Sequence, residues 1–236
     1  SPVGVYAGKG KSVTINAAQT NIVTSGYENG NSLTNAIWND AAKDAASSIT
    51  INGDTNIAMK GGYGGNGIAI QKTDRWGEAS NETTQTSKIT LNGDVVIAGE
   101  NEDTWGIPAN KENVYSRFNN SGILTSVDKS EVTVTGNAKL SVYGNGITTN
   151  AKDSKVSIGG GHIVVPKNTN YGYYTLGAYQ GTINVNTGTT GNSPGANTVQ
   201  LDGDIFALDT GTVNAALTTA DSYLNGIVDN GGTAIV

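Results

Sequence analysis

One short phrase recurs along this chain and limits what the chain can fold into. It reads Ser-Ile-Thr-Ile-Asn-Gly-Asp at residues 48–54 and Lys-Ile-Thr-Leu-Asn-Gly-Asp at residues 88–94. Looser copies open at Ser12, Glu131, Lys155, Thr182 and Thr212. Each copy alternates aliphatic with polar residues, and most end in an Asn, Gly or Asp turn, which is the pattern of a short strand with one buried face. A unit that recurs through a whole chain predicts a solenoid of stacked units.

Each copy of the phrase opens a longer repeat. A second strand-like segment follows the turn, as at residues 56–59 and 95–98, and a glycine-rich loop comes next. A third segment then begins with Gly and an aliphatic residue, as at residues 67–70, 106–109 and 146–149. Three short strands in each of about seven copies predict an all-β protein, a right-handed parallel β-helix with three strands per coil. We expect residues 1–236 to form one such domain.

The copies are unevenly spaced, and the surplus residues predict loops. Successive openings lie between 24 and 43 residues apart. Most of the surplus falls after the third segment and before the next copy. We therefore expect loop excursions near residues 39–47, 71–87 and 110–130, all leaving the same edge of consecutive coils.

The composition argues against several classes of partner. Charged residues are 14% of the chain, the formal net charge is −6, and no basic cluster occurs. This argues against binding nucleic acid or an anionic membrane surface. The longest apolar runs fall well short of the roughly 20 residues that span a bilayer, so we expect no direct membrane insertion. The absence of cysteine favours a secreted β scaffold that is stable without disulfides.

The end of the sequence resembles a known family. The segment Leu-Thr-Thr-Ala-Asp-Ser-Tyr-Leu-Asn-Gly-Ile-Val at residues 217–228 resembles the recurrent phrase of passenger domains of Gram-negative autotransporters. In that phrase Ser, a hydrophobic residue, Gly and a hydrophobic residue recur near the C-terminal end of the β-helix. The resemblance implies a passenger that is exported through an outer-membrane barrel and displayed outside the cell, linked to the outer membrane. Many members are adhesins. Because Ile235 and Val236 end the sequence in strand-like residues, we also expect the chain to be a segment of a longer protein.

Enzymatic chemistry finds little support in the sequence. His162 is the single histidine, and its place at the start of a strand favours a surface role. No Gly-Asp-Ser-Gly setting for a serine nucleophile occurs. Asp54 and Asp94 hold equivalent positions and would stack about 5 Å apart; they could bind calcium, but a corner role in which they cap backbone amides is favoured. We expect no catalytic residue, metal or cofactor. A β-helical polysaccharide-degrading enzyme stays as the alternative.

Aromatic and arginine residues in the predicted loops form the candidate binding site. Such residues give rigid contact area at low entropic cost. The candidates are Arg75, Trp76, Trp105, Tyr115, Arg117 and Phe118. Acidic residues around them favour a cationic or hydroxyl-rich partner. A second group, Tyr171, Tyr173, Tyr174 and Tyr179, could stack on a glycan, although core and corner packing is favoured.

These observations predict a cell-surface adhesin in which the coils are scaffold and residues 71–87 and 106–130 form a recognition flank. The expected partner is a protein or glycan on a host or bacterial surface. Self-association in a biofilm is the other binding mode, since flat faces of Thr, Asn and Ser can bond to an identical face and many weak contacts add together. A structural stalk that binds nothing is a further alternative.

Overall fold

The chain folds into parallel β-structure. A computed structural model describes residues 3–25, 34–60, 65–72, 81–98, 121–142, 144–165 and 172–236. These residues contain no helix, and the all-β prediction is confirmed. Their strands are β1 (Val5–Ala7), β2 (Ser12–Ser25), β3 (Thr34–Asp40), β4 (Ser48–Lys60), β5 (Gly65–Gln71), β6 (Lys88–Asn92), β7 (Val95–Ala98), β8 (Ser121–Thr125), β9 (Glu131–Ser141), β10 (Asn145–Val164), β11 (Tyr174–Val185), β12 (Val199–Asp202), β13 (Asp204–Ala207), β14 (Thr212–Ala215), β15 (Tyr223–Asn225), β16 (Val228–Asn230) and β17 (Thr233–Ile235).

Every pairing between these strands is parallel, and the pairings follow three ladders. The first ladder joins the copies of the recurrent phrase, in β2, β4, β6, β9, β10, β11, β14 and β17. The second ladder joins β2, β4, β7, β9, β10, β12 and β15. The third ladder joins β1, β3, β5, β8, β10, β11, β13 and β16. This large parallel sheet is compatible with a β-helix.

The first ladder aligns the repeats residue for residue. Ile49 lies beside Val13 on one side and beside Ile89 on the other. Val132 continues the same column after Ile89. The copies that share a sequence pattern are therefore paired with one another, as the repeat predicts.

The core consists of aliphatic columns that run across the ladders. Ile49, Ile51, Ile89 and Leu91 in the first ladder have no exposed surface, whereas the Thr and Asn residues between them keep part of theirs. Burial of each such aliphatic side chain stabilises the fold by about 1.5–3 kcal/mol. Alternation within the strands of the first ladder thus separates a dry interior from a polar exterior.

The third strand of one repeat lies elsewhere than the sequence predicted. We expected it at residues 106–109, which lie outside the described residues, and expected a loop at 110–130. The structure instead places the third strand at Ser121–Thr125, where Ile123 pairs with Ile68 and Ile147. The extra residues of this repeat therefore precede the third strand rather than follow it.

A glycine precedes the aliphatic residue of the third strand because there is no room for a side chain. A Cβ on Gly67 would lie 2.7 Å from Cδ1 of Ile97, in the core of the second ladder. At Gly122 it would lie 2.7 Å from the backbone oxygen of Gly146. Contacts this short are repulsive, so the Gly-aliphatic signature reflects close approach to the core and to the neighbouring strand.

Candidate binding surfaces

The six residues predicted to bind a ligand lie outside the described part of the chain. They are Arg75, Trp76, Trp105, Tyr115, Arg117 and Phe118. Their role therefore stays a prediction, and the surfaces described below are built from other residues.

The connections that follow the third strands contact one another. The N–H of Thr84 donates to the backbone oxygen of Lys43 at 2.8 Å. The hydroxyl of Thr83 donates to the backbone oxygen of Asp128, also at 2.8 Å. Described parts of the ranges 39–47, 71–87 and 110–130 therefore lie side by side, along one edge of the ladders.

The two equivalent aspartates are corner residues. Oδ1 of Asp54 accepts a hydrogen bond from the N–H of Asp94 at 2.9 Å. Oδ1 of Asp94 accepts one from the N–H of Asn137 at 2.7 Å. Each carboxylate thus caps a backbone amide in the next repeat, which confirms the corner interpretation. Among the described residues, no group of three or more His, Cys, Asp or Glu side chains is placed to hold a metal ion.

His162 is tied into a polar cluster on the outer side of the second ladder. Its Nε2 lies 2.8 Å from Oδ2 of Asp202, which also accepts a hydrogen bond from the hydroxyl of Tyr223 at 2.9 Å. Oδ1 of Asp202 accepts from Nδ2 of Asn225 at 2.9 Å. The bond to His162, helped by the other two, lowers the pKa of Asp202 to about 2. One carboxylate therefore links β10, β12 and β15.

The sequence did not reveal this link. The predicted surface position of His162 agrees with its side chain being 34% exposed. Its partner Asp202 lies two residues beyond Gln200, the residue paired with His162. Only the register of β10 against β12 brings the imidazole and the carboxylate together.

The outer side of the first ladder carries columns of hydroxyl and amide groups. Nδ2 of Asn52 donates to Oδ1 of Asn16 at 2.6 Å, and Nδ2 of Asn92 donates to Oδ1 of Asn52 at 2.7 Å. A second column lies beside this one. It is formed by Thr14, Thr50, Thr90 and Thr133, which the register aligns.

This threonine column is available for contact. Within the described part of the chain, the four hydroxyls form no hydrogen bond to another residue, and each side chain keeps exposed surface. Their β-branched side chains hold few rotamers. Equivalent hydroxyls in neighbouring strands recur at the strand spacing of about 4.8 Å. We call these residues, with Asn16, Asn52 and Asn92, the hydroxyl–amide face.

Aromatic side chains lie on the outer side of the third ladder, near both of its ends. At one end, the rings of Tyr6 and Trp38 meet edge to face with centroids 5.3 Å apart, and Tyr6 donates a hydrogen bond to Oδ2 of Asp40. At the other end, the ring of Phe206 lies 4.7 Å from that of Tyr174 and 5.0 Å from that of Tyr179. We call Tyr174, Tyr179 and Phe206 the aromatic trio.

The structure places the tyrosines that the sequence singled out in different surroundings. Tyr173 packs against the core, in agreement with the packing interpretation, and Tyr171 lies outside the described residues. Tyr174 and Tyr179 instead face Phe206 on the outer side and are half-buried. Phe206 was not singled out, although the alternation of Ile205, Phe206 and Ala207 already predicts that its side chain points away from the core.

Comparison with known proteins adds no assignment. No family model, curated protein or solved structure matches this chain. Within the described ranges, no helix is long and apolar enough to cross a membrane.

Proposed function

We propose that the three ladders are the three faces of a right-handed parallel β-helix of about seven coils. Two facts support this proposal. Each segment pairs in parallel with its equivalent in the next repeat, and the three ladders take their strands in a fixed order along the chain. Parallel connections of this kind are right-handed in nearly all proteins.

The function that this surface supports best is adhesion. The chain acts as the passenger domain of a bacterial autotransporter adhesin, displayed outside the cell and linked to the outer membrane. It attaches to proteins or glycans of host or bacterial surfaces, or associates with itself. The observation that carries the proposal is the hydroxyl–amide face, where Thr14, Thr50, Thr90 and Thr133 repeat in register.

Repetition explains how such a surface adheres. A single exposed hydroxyl contributes little binding free energy, because a bond to a partner replaces a bond to water. A column of equivalent groups on a rigid support engages many partners together, so the weak contacts add through effective concentration. A low charge density also lets two copies approach, since only 14% of residues are charged.

The test is aggregation of beads coated with the purified chain. Thr50→Glu together with Thr90→Glu places two carboxylates in the centre of the hydroxyl–amide face. We expect aggregation to fall, because the added charges on apposed copies repel one another. The matched control is Asn56→Glu with Val96→Glu, which adds the same charge to the same two repeats on the second ladder.

The outcomes separate the alternatives. Loss of aggregation in the first variant but not in the control supports adhesion through the hydroxyl–amide face. Equal loss of aggregation in the variant and in the control would assign the effect to net charge, and would contradict adhesion through the hydroxyl–amide face. If wild-type beads neither aggregate nor attach to cells, the adhesin proposal fails and a structural stalk becomes the better assignment. Release of unsaturated sugar from polyuronate would instead favour the enzyme.

A further inference from the structure

The outer side of the third ladder contrasts with that of the other two. The first ladder turns mainly Ser, Thr, Asn and charged residues outward, and the second includes Asn, Lys, His and Gln. Near the C-terminal end of the third ladder the outward residues include Tyr174, Tyr179 and Phe206. Phe206 has no polar atom and yet keeps exposed surface. Aromatic rings grouped on an outer face are typical of a binding surface.

The register defines how the trio is assembled. Phe206 pairs with Gly177 on one side and with Asp229 on the other. A Cβ on Gly177 would lie 3.7 Å from Cβ of Tyr174 and 3.8 Å from its Cδ2, so the Tyr174 ring lies against the bare backbone of Gly177. The Tyr174 ring thus packs over Gly177 and stacks on Phe206, with an angle of 21° between the ring planes.

Carboxylates border the aromatic surface. Asp229 is exposed beside Phe206, and Asp204 pairs with Tyr174 in the register. Oδ1 of Asp204 accepts a hydrogen bond from the N–H of Ile227 at 2.9 Å. Burial, followed by the charges of Asp229 and Asp204, raises the pKa of Tyr174. The phenol is protonated at neutral pH, as tyrosine ordinarily is, and its O–H can donate a hydrogen bond to a ligand beside the two carboxylates.

We propose that the aromatic trio, bordered by Asp204 and Asp229, is a carbohydrate-binding platform for neutral or amino-bearing sugars. The apolar face of a sugar ring stacks on the aromatic surface, and its hydroxyl or ammonium groups bond to the carboxylates and phenols. Uronic and sulfated sugars are disfavoured, because their anionic groups would lie close to Asp229 and Asp204. This site is separate from both the predicted loop flank and the hydroxyl–amide face, and it does not depend on the autotransporter assignment.

The experiment compares three trisaccharides that differ in charge. The purified chain is titrated by calorimetry with trisaccharides of N-acetylglucosamine, glucosamine and galacturonic acid. We expect the neutral and cationic sugars to bind and the anionic one to bind at least about tenfold more weakly. Phe206→Leu and, separately, Tyr174→Leu should each weaken binding by about tenfold, because the stacking surface is lost while apolar volume is largely kept.

Matched variants keep the test falsifiable. Tyr6→Leu removes an exposed aromatic ring from the same outward column at the other end of the ladder, and it should leave binding unchanged. Asp229→Asn, at an exposed position, should weaken binding of the glucosamine trisaccharide more than that of the neutral one.

Three results would overturn the platform. They are absence of binding of both favoured sugars at millimolar concentration, equal binding of the anionic sugar, and equal loss of binding in the trio and Tyr6 variants. Bead aggregation is measured separately. If the chain binds sugar but the beads do not aggregate, the result supports the platform and contradicts only the adhesive role of the hydroxyl–amide face.

Discussion

The carboxylate of Asp94 accepts a hydrogen bond from the backbone N–H of Asn137 at 2.7 Å, one repeat further along the chain. Asp54 makes the same bond to Asp94 at 2.9 Å. The two equivalent carboxylates are therefore both backbone caps. Each cap fixes the corner between the first and second ladders, and with it the register of the next repeat.

This relationship predicts how Asp94 responds to substitution. Asp94→Ala removes the acceptor and should lower the free energy of unfolding by about 0.5–1.5 kcal/mol. Asp94→Asn retains an acceptor oxygen and should lose less. The measurement is urea unfolding followed by circular dichroism, with Asp221→Ala as an exposed acidic control. Millimolar calcium or a chelator should leave the wild-type Tm unchanged, and a calcium-dependent rise would restore the metal interpretation.

Gly93 predicts a larger loss at the same corner. A Cβ there would lie 2.6 Å from the carbonyl carbon and oxygen of Gly53, both backbone atoms of the preceding repeat. Since backbone cannot move aside as a flexible side chain does, Gly93→Ala should cost about 1–3 kcal/mol. Gly8→Ala is the control, because its Cβ would meet only the ring of Tyr6 at 3.5 Å. Equal tolerance of both substitutions would show that the corner is looser than the contacts indicate.

Asp202 predicts a specific loss of stability in acid. Its pKa falls from an ordinary value of 3.8 to about 2 in the folded protein, chiefly through the bond to His162. Because the folded carboxylate binds its proton more weakly than the unfolded one, the stabilisation is present above about pH 4 and is lost as the pH falls to about 2.

Thermal unfolding of Asp202→Asn across that window should therefore show a flatter dependence of Tm on pH than the wild type. Asp221→Asn serves as control, because no side-chain hydrogen bond to its carboxylate occurs among the described residues. If Asp202→Asn and the wild type lose the same Tm between pH 4 and pH 2, as read from two matched scans, the polar cluster contributes nothing to acid stability.

The repeat predicted the first ladder because its signal is both periodic and redundant. The aliphatic residues that open successive copies, Val13, Ile49, Ile89 and Val132, pair with one another in that order. A shift by one residue would turn a whole aliphatic column to solvent. Alternation therefore excludes odd shifts of register, and the turn that ends each copy excludes shifts by two. The corner role of Asp54 and Asp94 follows from their place after each copy.

The third ladder was harder to predict because its signature is short. Gly followed by an aliphatic residue occurs at residues 106–107 and again at 122–123, and local sequence does not choose between them. The choice is made by distant pairing of Ile123 with Ile68 and Ile147. The polar cluster around Asp202 and the contact of Phe206 with Tyr174 and Tyr179 escaped prediction for the same reason, since both are assembled across strands that are far apart in the chain.

Ile123 offers a direct test of where the third strand lies. Its side chain has no exposed surface, so Ile123→Ala should lower the free energy of unfolding by about 2–5 kcal/mol through lost burial and a residual cavity. The matched control is Ile227→Ala, because the side chain of Ile227 is 67% exposed. This substitution should change the free energy of unfolding by no more than about 0.5 kcal/mol. Chemical unfolding of both variants decides the matter. Similar small losses in the two would mean that Ile123 is not a core residue, and would restore residues 106–109 as the third strand.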